Sequence, residues 1–359
     1  KNNMRVCILG SGITSLTLAK ALVNQNIHVD VFSSKKIRRP DQSRTIGISK
    51  SNIDFFTNNI ININKIIWKI NKIEIFTDNL QKEKLINFEN NIELFSMVKN
   101  YQLFDLLKKS LSKSKYFKKK NLENFKYLEN YDLVINTDFS NALSKKFFSK
   151  KIIKKYNSNA YTTIIKHSKL KNNIATQIFT KKGPLAFLPI SNNQTSIVYS
   201  LSSPKNEKSE NITNLINKYN FKYKIEKIDE IKSFELKSIS LRSYYYENIL
   251  AFGDLLHSIH PLAGQGFNMT IRDIKILIEI IKSRIELGLN IDKSVNSDFE
   301  NQLKHKNFIF SYGVDFIHEF FNFESKLNNS FLTKSVKLLG KNPSINRIFT
   351  KIADEGLNF

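Results

Sequence analysis

The sequence predicts an α/β fold in which a parallel-sheet domain is interleaved with a mostly antiparallel β-sheet domain and followed by a helical C-terminal region. Three observations carry that expectation. A strand, a glycine turn and a helix open the chain between Arg5 and Val23, and a second strand follows within about thirty residues, as a βαβ unit requires. Short β-branched and aromatic runs broken by Asn, Asp and Lys then fill two later stretches, and a second strand–glycine–helix passage begins at Ile249.

Taken in order, Arg5–Leu9 is an apolar run ending at Gly10, and Ile13, Leu16 and Val23 then recur at helical spacing. Asn24–Asn26 stops that helix, and Ile27–Phe32 reads as the second strand. Between Ile60 and Phe95 the runs Ile73–Phe76, Leu85–Phe88 and Glu93–Met97 predict an inserted antiparallel sheet. Asn100–Ser112 has Leu103, Leu106 and Leu107 on one helical face, and Tyr131–Asn136 is a buried-strand run. Strand signals return at Ala160–Ile165, Ile174–Phe179, Leu185–Pro189 and Thr195–Leu201, with a helix expected at Ile212–Phe221. Ile249–Phe252 is a strand ending at Gly253, and Phe267–Ile285 a long helix with Ile271, Ile274 and Ile281 inward. The expected division assigns 1–59, 98–150 and 245–290 to the parallel-sheet domain, 60–97 and 151–244 to the antiparallel one, and 291–359 to the helical region.

A chain of 359 residues with 41% hydrophobic side chains can bury a sizeable core. Its 56 Lys and Arg against 32 Asp and Glu leave a net charge of +24, which puts anionic partners in play or reflects a Lys-, Asn- and Ile-rich codon bias. The single cysteine, Cys7, excludes an internal disulfide framework and a multi-cysteine metal site. A cytoplasmic, reducing compartment is the expectation. Neither a signal peptide nor a membrane-spanning run of about 18 uncharged residues is read in the sequence.

Two glycine passages carry the chemistry. Gly10-Ser11-Gly12-Ile13-Thr14-Ser15 follows a strand and opens a helix. Gly10 permits a tight turn, Gly12 lets backbone approach a pyrophosphate, and the helix start offers free N–H groups and a positive dipole end. Ser15 stands in the third glycine place, and Ser33 stands where a carboxylate commonly holds the ribose. The second passage runs Gly253-Asp254-Leu255-Leu256-His257-Ser258-Ile259-His260-Pro261-Leu262-Ala263-Gly264-Gln265-Gly266-Phe267-Asn268. Here a strand delivers Asp254 to its carboxyl end, where a carboxylate can accept bonds from a polyol, and bare backbone N–H groups lead into a helix. His257 and His260 lack the carboxylate or thiol cluster that a metal site would need, so no metal is expected.

These residues resemble the flavin-dependent aromatic hydroxylases, and most closely their ubiquinone-biosynthesis branch. The resemblance also rests on Arg44-Thr45-Ile46-Gly47-Ile48-Ser49 with Ser51, on Val98 and Asn100, on Phe179-Thr180 and Gly183–Pro189, and on Arg272-Asp273. It implies a Rossmann-like FAD-binding domain with Gly10, Gly12, Ile13, Thr14, Ser15, Ser33 and Arg44 about the adenosine and pyrophosphate. It places Asp254 on the ribitol, and Pro261 with Gly264, Gln265, Gly266, Phe267 and Asn268 along the isoalloxazine ring. It further implies reduction by NADH or NADPH, a C4a-hydroperoxide formed with O2, and hydroxylation of a polyprenylated aromatic ring. The flavin carries that chemistry and the protein positions it, so no side chain is singled out as a catalytic acid or base. Leu185, Phe187 and Pro189 are expected to wall the substrate.

The chain departs from the family where an Asp-Gly pair follows a buried strand, since Asp138 is followed by Phe139 and the usual Arg is at best Lys145. Two alternatives follow: a flavoprotein of the same fold with different chemistry, and a degenerate member serving as a structural subunit of a biosynthetic complex. No nucleic-acid fold signature accompanies the basic clusters. Their expected use, with the amphipathic stretch at Leu332, Val336 and Leu339, is an anionic membrane surface on the inner face of the cytoplasmic membrane or contact with other ubiquinone-biosynthesis proteins.

Overall fold

The computed structural model describes residues 4–33, 39–78, 84–89, 93–121, 125–202, 209–258 and 265–309. In chain order it begins β1 (Arg5–Leu9), α1 (Ile13–Val23), β2 (His28–Ser33), β3 (Thr45–Ser49) and α2 (Lys50–Asn59). Next come β4 (Ile67–Ile70), β5 (Lys72–Thr77), β6 (Lys84–Glu89), β7 (Phe95–Lys99), α3 (Asn100–Leu111), β8 (Phe117–Asn121), β9 (Leu133–Asn136) and α4 (Ala142–Phe147). The middle holds β10 (Lys151–His167), β11 (Ile174–Thr180), β12 (Gly183–Ser191), β13 (Gln194–Ser202), α5 (Ser209–Tyr219), β14 (Ile225–Ile228) and β15 (Lys232–Leu241). It closes with β16 (Tyr245–Tyr246), β17 (Ile249–Ala251), β18 (His257–Ser258), α6 (Gln265–Glu286) and a helix at 293–309.

The first sheet has the order β16-β17-β9-β1-β2-β8, parallel throughout except for the short β16 at its edge. β1 lies between β9 and β2, so the chain leaves it in opposite directions, and the crevice outside its carboxyl end is where such sheets hold ligands. Val6, Ile8, Val29, Val31, Leu133 and Ile135 are buried on one face of this sheet and Cys7, Leu9, Phe32 and Val134 on the other, the run expected of parallel strands. The expected α/β architecture is therefore present.

The second sheet runs β18-β15-β10-β13-β12-β11-β5-β6, with β14 also on β10. It is antiparallel except where β11 meets β5. One face packs under α5 through Tyr161, Ile165, Leu185, Phe187, Ile197, Ile212 and Ile216. The opposite face sends Ile164, Ala175, Leu188 and Ile190 against Ile70 and Met97, which belong to a third sheet of order β3-β7-β4. The inserted sheet expected at Ile60–Phe95 is thus divided, with β5 and β6 joining the large sheet and β7 pairing between β3 and β4. Most of the C-terminal helical region, including Leu332, Val336 and Leu339, lies outside the described residues.

Candidate flavin site

Four carboxyl strand ends, those of β1, β2, β9 and β17, meet at one place. At the end of β1, Gly10 has a φ of +119°, and a Cβ there would stand 2.2 Å from Thr137 Oγ1. Only glycine meets both demands. Thr137 Oγ1 pairs with Ser15 Oγ at 2.7 Å and donates to Leu9 O at 2.9 Å, so the turn, the first coil of α1 and the end of β9 are stitched together. A Cβ on Gly12 would meet nothing within 4 Å, and Gly12 caps α1 without a side-chain bond or any acidic residue in the first turn. The helix start is therefore open to an anion. Ser33, at the end of β2, donates to Ser11 Oγ at 3.4 Å, which keeps its hydroxyl beside the turn.

Gly253, just beyond β17, is in the left-handed region at φ +63°, and a Cβ would lie 2.6 Å from Thr14 Cγ2. This contact brings the second glycine passage onto the first. Asp254 follows. Its side chain is exposed to solvent, yet crowding by surrounding protein pushes its carboxyl above the ordinary 3.8, against the opposing pull of His257 and Arg44. Arg44 is exposed and within electrostatic reach of that carboxylate, with its carbonyl accepting from Asn100 N at 3.0 Å.

Asn268 pins the start of α6. Its Oδ1 accepts from Ser49 N and Asn52 Nδ2, both at 2.9 Å, and its Nδ2 donates to Gly47 O at 3.0 Å. Gly266 and Phe267 lie beside it, half-buried. Gln265 begins α6, and Pro261 and Gly264 lie outside the described residues. Structure thus gathers Gly10, Gly12, Ile13, Thr14, Ser15, Ser33, Arg44 and Asp254 about one crevice, with the Gly47–Asn268 contact at α6. Thr137 was not read from the sequence, although its place one residue past the β9 run marks it as a strand-end side chain.

The residues expected to wall the substrate sit inside the protein. Leu185 and Phe187 are fully buried in the cluster under α5, and Pro189 is buried too. Strand alternation sends Ala186 and Leu188 to the opposite face, which turns toward β3 and β7. Ser196 Oγ on that face meets Thr45 Oγ1 at 2.8 Å, and Lys99 Nζ reaches Gln194 Oε1 at 2.8 Å. Thr162, Val198, Ala186 and Gln177 form a continuous cross-strand row there.

The altered Asp-Gly position is also visible. Asp138 Oδ1 accepts from Ser140 N at 2.8 Å and Ser140 Oγ at 2.7 Å, closing a local turn, while Phe139 is 72% exposed. Cys7 is buried mid-strand, with burial pushing its thiol far above the ordinary range, so it is an inert core group.

The donors present fit FAD. An uncapped helix start, a turn with no room for a side chain, an accessible carboxylate and a nearby guanidinium match a pyrophosphate and a polyol. A family model described as "FAD binding domain" matches residues 150–286. Fold and sequence match together make the chain similar to FAD-dependent monooxygenases. The chain is 23% identical to a mitochondrial ubiquinone biosynthesis monooxygenase COQ6 of Dictyostelium discoideum over 93% of its length and 87% of that protein's. It is 29% identical to the 3-demethoxyubiquinol 3-hydroxylase of Escherichia coli over 41% of its own length and 39% of that enzyme's. Among solved structures, Klebsiella pneumoniae HpxO with FAD and uric acid superposes at TM-score 0.77 with 13% identity, covering 98% of each chain. Pseudomonas putida p-nitrophenol 4-monooxygenase PnpA superposes at 0.75 with 12% identity, covering 97% of each.

Proposed function

We propose that this chain is an FAD-dependent monooxygenase that hydroxylates an aromatic ring of a polyprenylated phenol or quinol on the route to ubiquinone, using FAD, O2 and NADH or NADPH. The observation that carries the reading is Asp254, accessible yet desolvated and held beside the glycine turn by the Gly253–Thr14 contact. When bound, FAD supplies the oxygen-activating chemistry. The chain's own residues bind and orient. Gly10, Gly12 and the start of α1 would take the pyrophosphate, Ser33 and Arg44 its flanks, and Asp254 the ribityl hydroxyls. The Gly47–Asn268 contact sets α6 against β3, where the ring would lie. The large sheet's face bearing Thr162, Val198, Ala186 and Gln177 is the proposed substrate wall, and the domain division at 1–59, 98–150 and 245–290 against 60–97 and 151–244 is proposed with it.

We further propose docking on an anionic membrane, since the substrate is lipid-soluble and Lys118, Lys119, Lys150, Lys151, Lys155, Lys181 and Lys182 are all exposed. One observation favours a second reading, a structural subunit of a biosynthetic complex: Phe139 stands, exposed and two residues past Thr137, where the family carries glycine. Incubating the FAD-loaded protein with a polyprenylated phenol, NADPH or NADH, and isotopically labelled O2 separates the two. A product gaining one labelled oxygen is expected. Binding of FAD with no oxygen transfer, under conditions in which a known hydroxylase turns over, would leave the subunit reading.

A further inference from the structure

The chain carries one buried ion pair beside the crevice that cofactor binding alone does not explain. His257 and Asp273 are both buried, and the imidazole Nε2 is bonded to Asp273 Oδ2. His257 belongs to the two-residue strand β18, whose backbone pairs with Ser240 of β15, while Asp273 lies on α6 little more than a turn beyond Asn268. The pair therefore clamps three parts together: the turn carrying Asp254, the substrate-sheet strand β15, and the helix already pinned to β3 by Asn268. Asp273 Oδ1 also accepts from Asn307 Nδ2 at 3.5 Å, which ties in the 293–309 helix.

The groups facing this pair leave one acid–base element near the crevice. From the turn after β17, Asp254 faces His257, and from α6, Asp273 does. On the far side, Tyr244 and Glu300 interact with each other and Tyr244 with Asp273. Arg44 acts on Asp254 from β3's entrance. Burial disfavours the imidazolium, but the two carboxylates outweigh it and hold His257 above its ordinary 6.5. A buried imidazole whose charged form is favoured thus lies within electrostatic reach of a carboxylate whose own burial disfavours its charge.

We infer that His257, gripped by Asp273, is a positioning residue for the cofactor: it sets Asp254 at a fixed distance from α6 and supplies the positive charge that keeps Asp254 an ionised acceptor for the ribityl chain. The inference rests on the FAD reading of the crevice. It makes FAD affinity depend on the charge of a side chain that touches no cofactor atom.

Titration of the apoprotein with FAD, followed by flavin fluorescence from neutral to alkaline pH, tests it. Wild type binds FAD more weakly as pH rises and His257 loses its proton, and a flat profile overturns the inference. The double variant H257Q/D273N leaves neither buried charge unpaired and keeps the fold. It is expected to bind FAD roughly tenfold or more weakly, with the alkaline decline gone, since a neutral acceptor loses the advantage of a charged one. Wild-type affinity with the wild-type pH profile in the double variant reduces the pair to a structural clamp and overturns the inference. Should wild type itself take up no FAD, the FAD reading falls and this inference with it. Should wild type bind and the variant match it, only this inference falls.

Discussion

Replacing Gly253 with alanine isolates the contact that joins the two glycine passages. Two costs can be read separately from the structure. The φ of +63° places an L side chain in the left-handed region, at about 1–2 kcal/mol. The new Cβ would lie 2.6 Å from Thr14 Cγ2 and 3.4 Å from Thr14 Cβ and Oγ1, an overlap that costs about 1–3 kcal/mol when the neighbour has to shift. The sum, about 2–5 kcal/mol, is large against a typical domain stability of roughly 5–15 kcal/mol. Urea unfolding of the apoprotein measures it, and FAD titration of the folded fraction reports whether Asp254 has moved. Adding Thr14→Ser removes the clashing methyl and keeps the hydroxyl. The double variant should recover the steric part and retain the backbone part, leaving a deficit of about 1–2 kcal/mol. The reasoning is refuted if Gly253→Ala alone is as stable as wild type, or if Thr14→Ser recovers nothing.

Four further outcomes are expected. Phe187→Ala should destabilise the fold by about 3–5 kcal/mol through a cavity under α5 while leaving KM for the aromatic substrate unchanged, which substrate titration of the surviving enzyme checks. Phe139→Gly should speed anaerobic bleaching of bound flavin by NADPH or NADH if the exposed ring obstructs the reductant, and an unchanged stopped-flow rate removes that role. Because His257 binds its proton more tightly in the folded state, its stabilisation is complete below pH 6.5 and is lost as pH rises through the raised value. Melting temperature should therefore fall with rising pH in wild type more than in H257Q/D273N. Sedimentation with anionic liposomes should be strong at low salt and weaken as salt rises, and failure to sediment at low salt rejects membrane docking.

Much of the fold was legible because apolar residues marked it. β1, α1, α3 and β9 fall within a residue or two of the runs that predict them, since each is buried on at least one continuous stripe. The elements that escaped are rich in lysine. β8, Phe-Lys-Lys-Lys-Asn, is the edge of the parallel sheet, and the first half of β10, with Lys151, Lys154 and Lys155, pairs only with β15. Edge strands carry lysine because it discourages pairing with other chains, and that use is indistinguishable in sequence from a solvated loop. At the site, Gly10, Gly12, Ser15 and Asp254 were readable because each glycine or carboxylate serves a local strand end. The Thr14–Gly253 contact and the His257–Asp273 pair were not, as they join segments distant in sequence or turn on which face of α6 looks back at the loop. The facing of the expected substrate wall was not legible for a related reason. An apolar run such as Leu185–Pro189 says that a strand is buried on both faces, and only the position of α5 tells which face the core takes.

The claim on which the rest depends is that the crevice between Gly10 and Asp254 holds FAD. Equilibrium titration of the refolded apoprotein with FAD, comparing wild type with Asp254→Asn, tests it most directly. One FAD per chain is predicted for wild type, with affinity lowered roughly tenfold to a hundredfold in the variant, the value of about 1.5–3 kcal/mol for hydrogen bonds to a charged acceptor. A wild-type protein that stays colourless and does not quench flavin fluorescence, or a variant that binds as tightly as wild type, would contradict it.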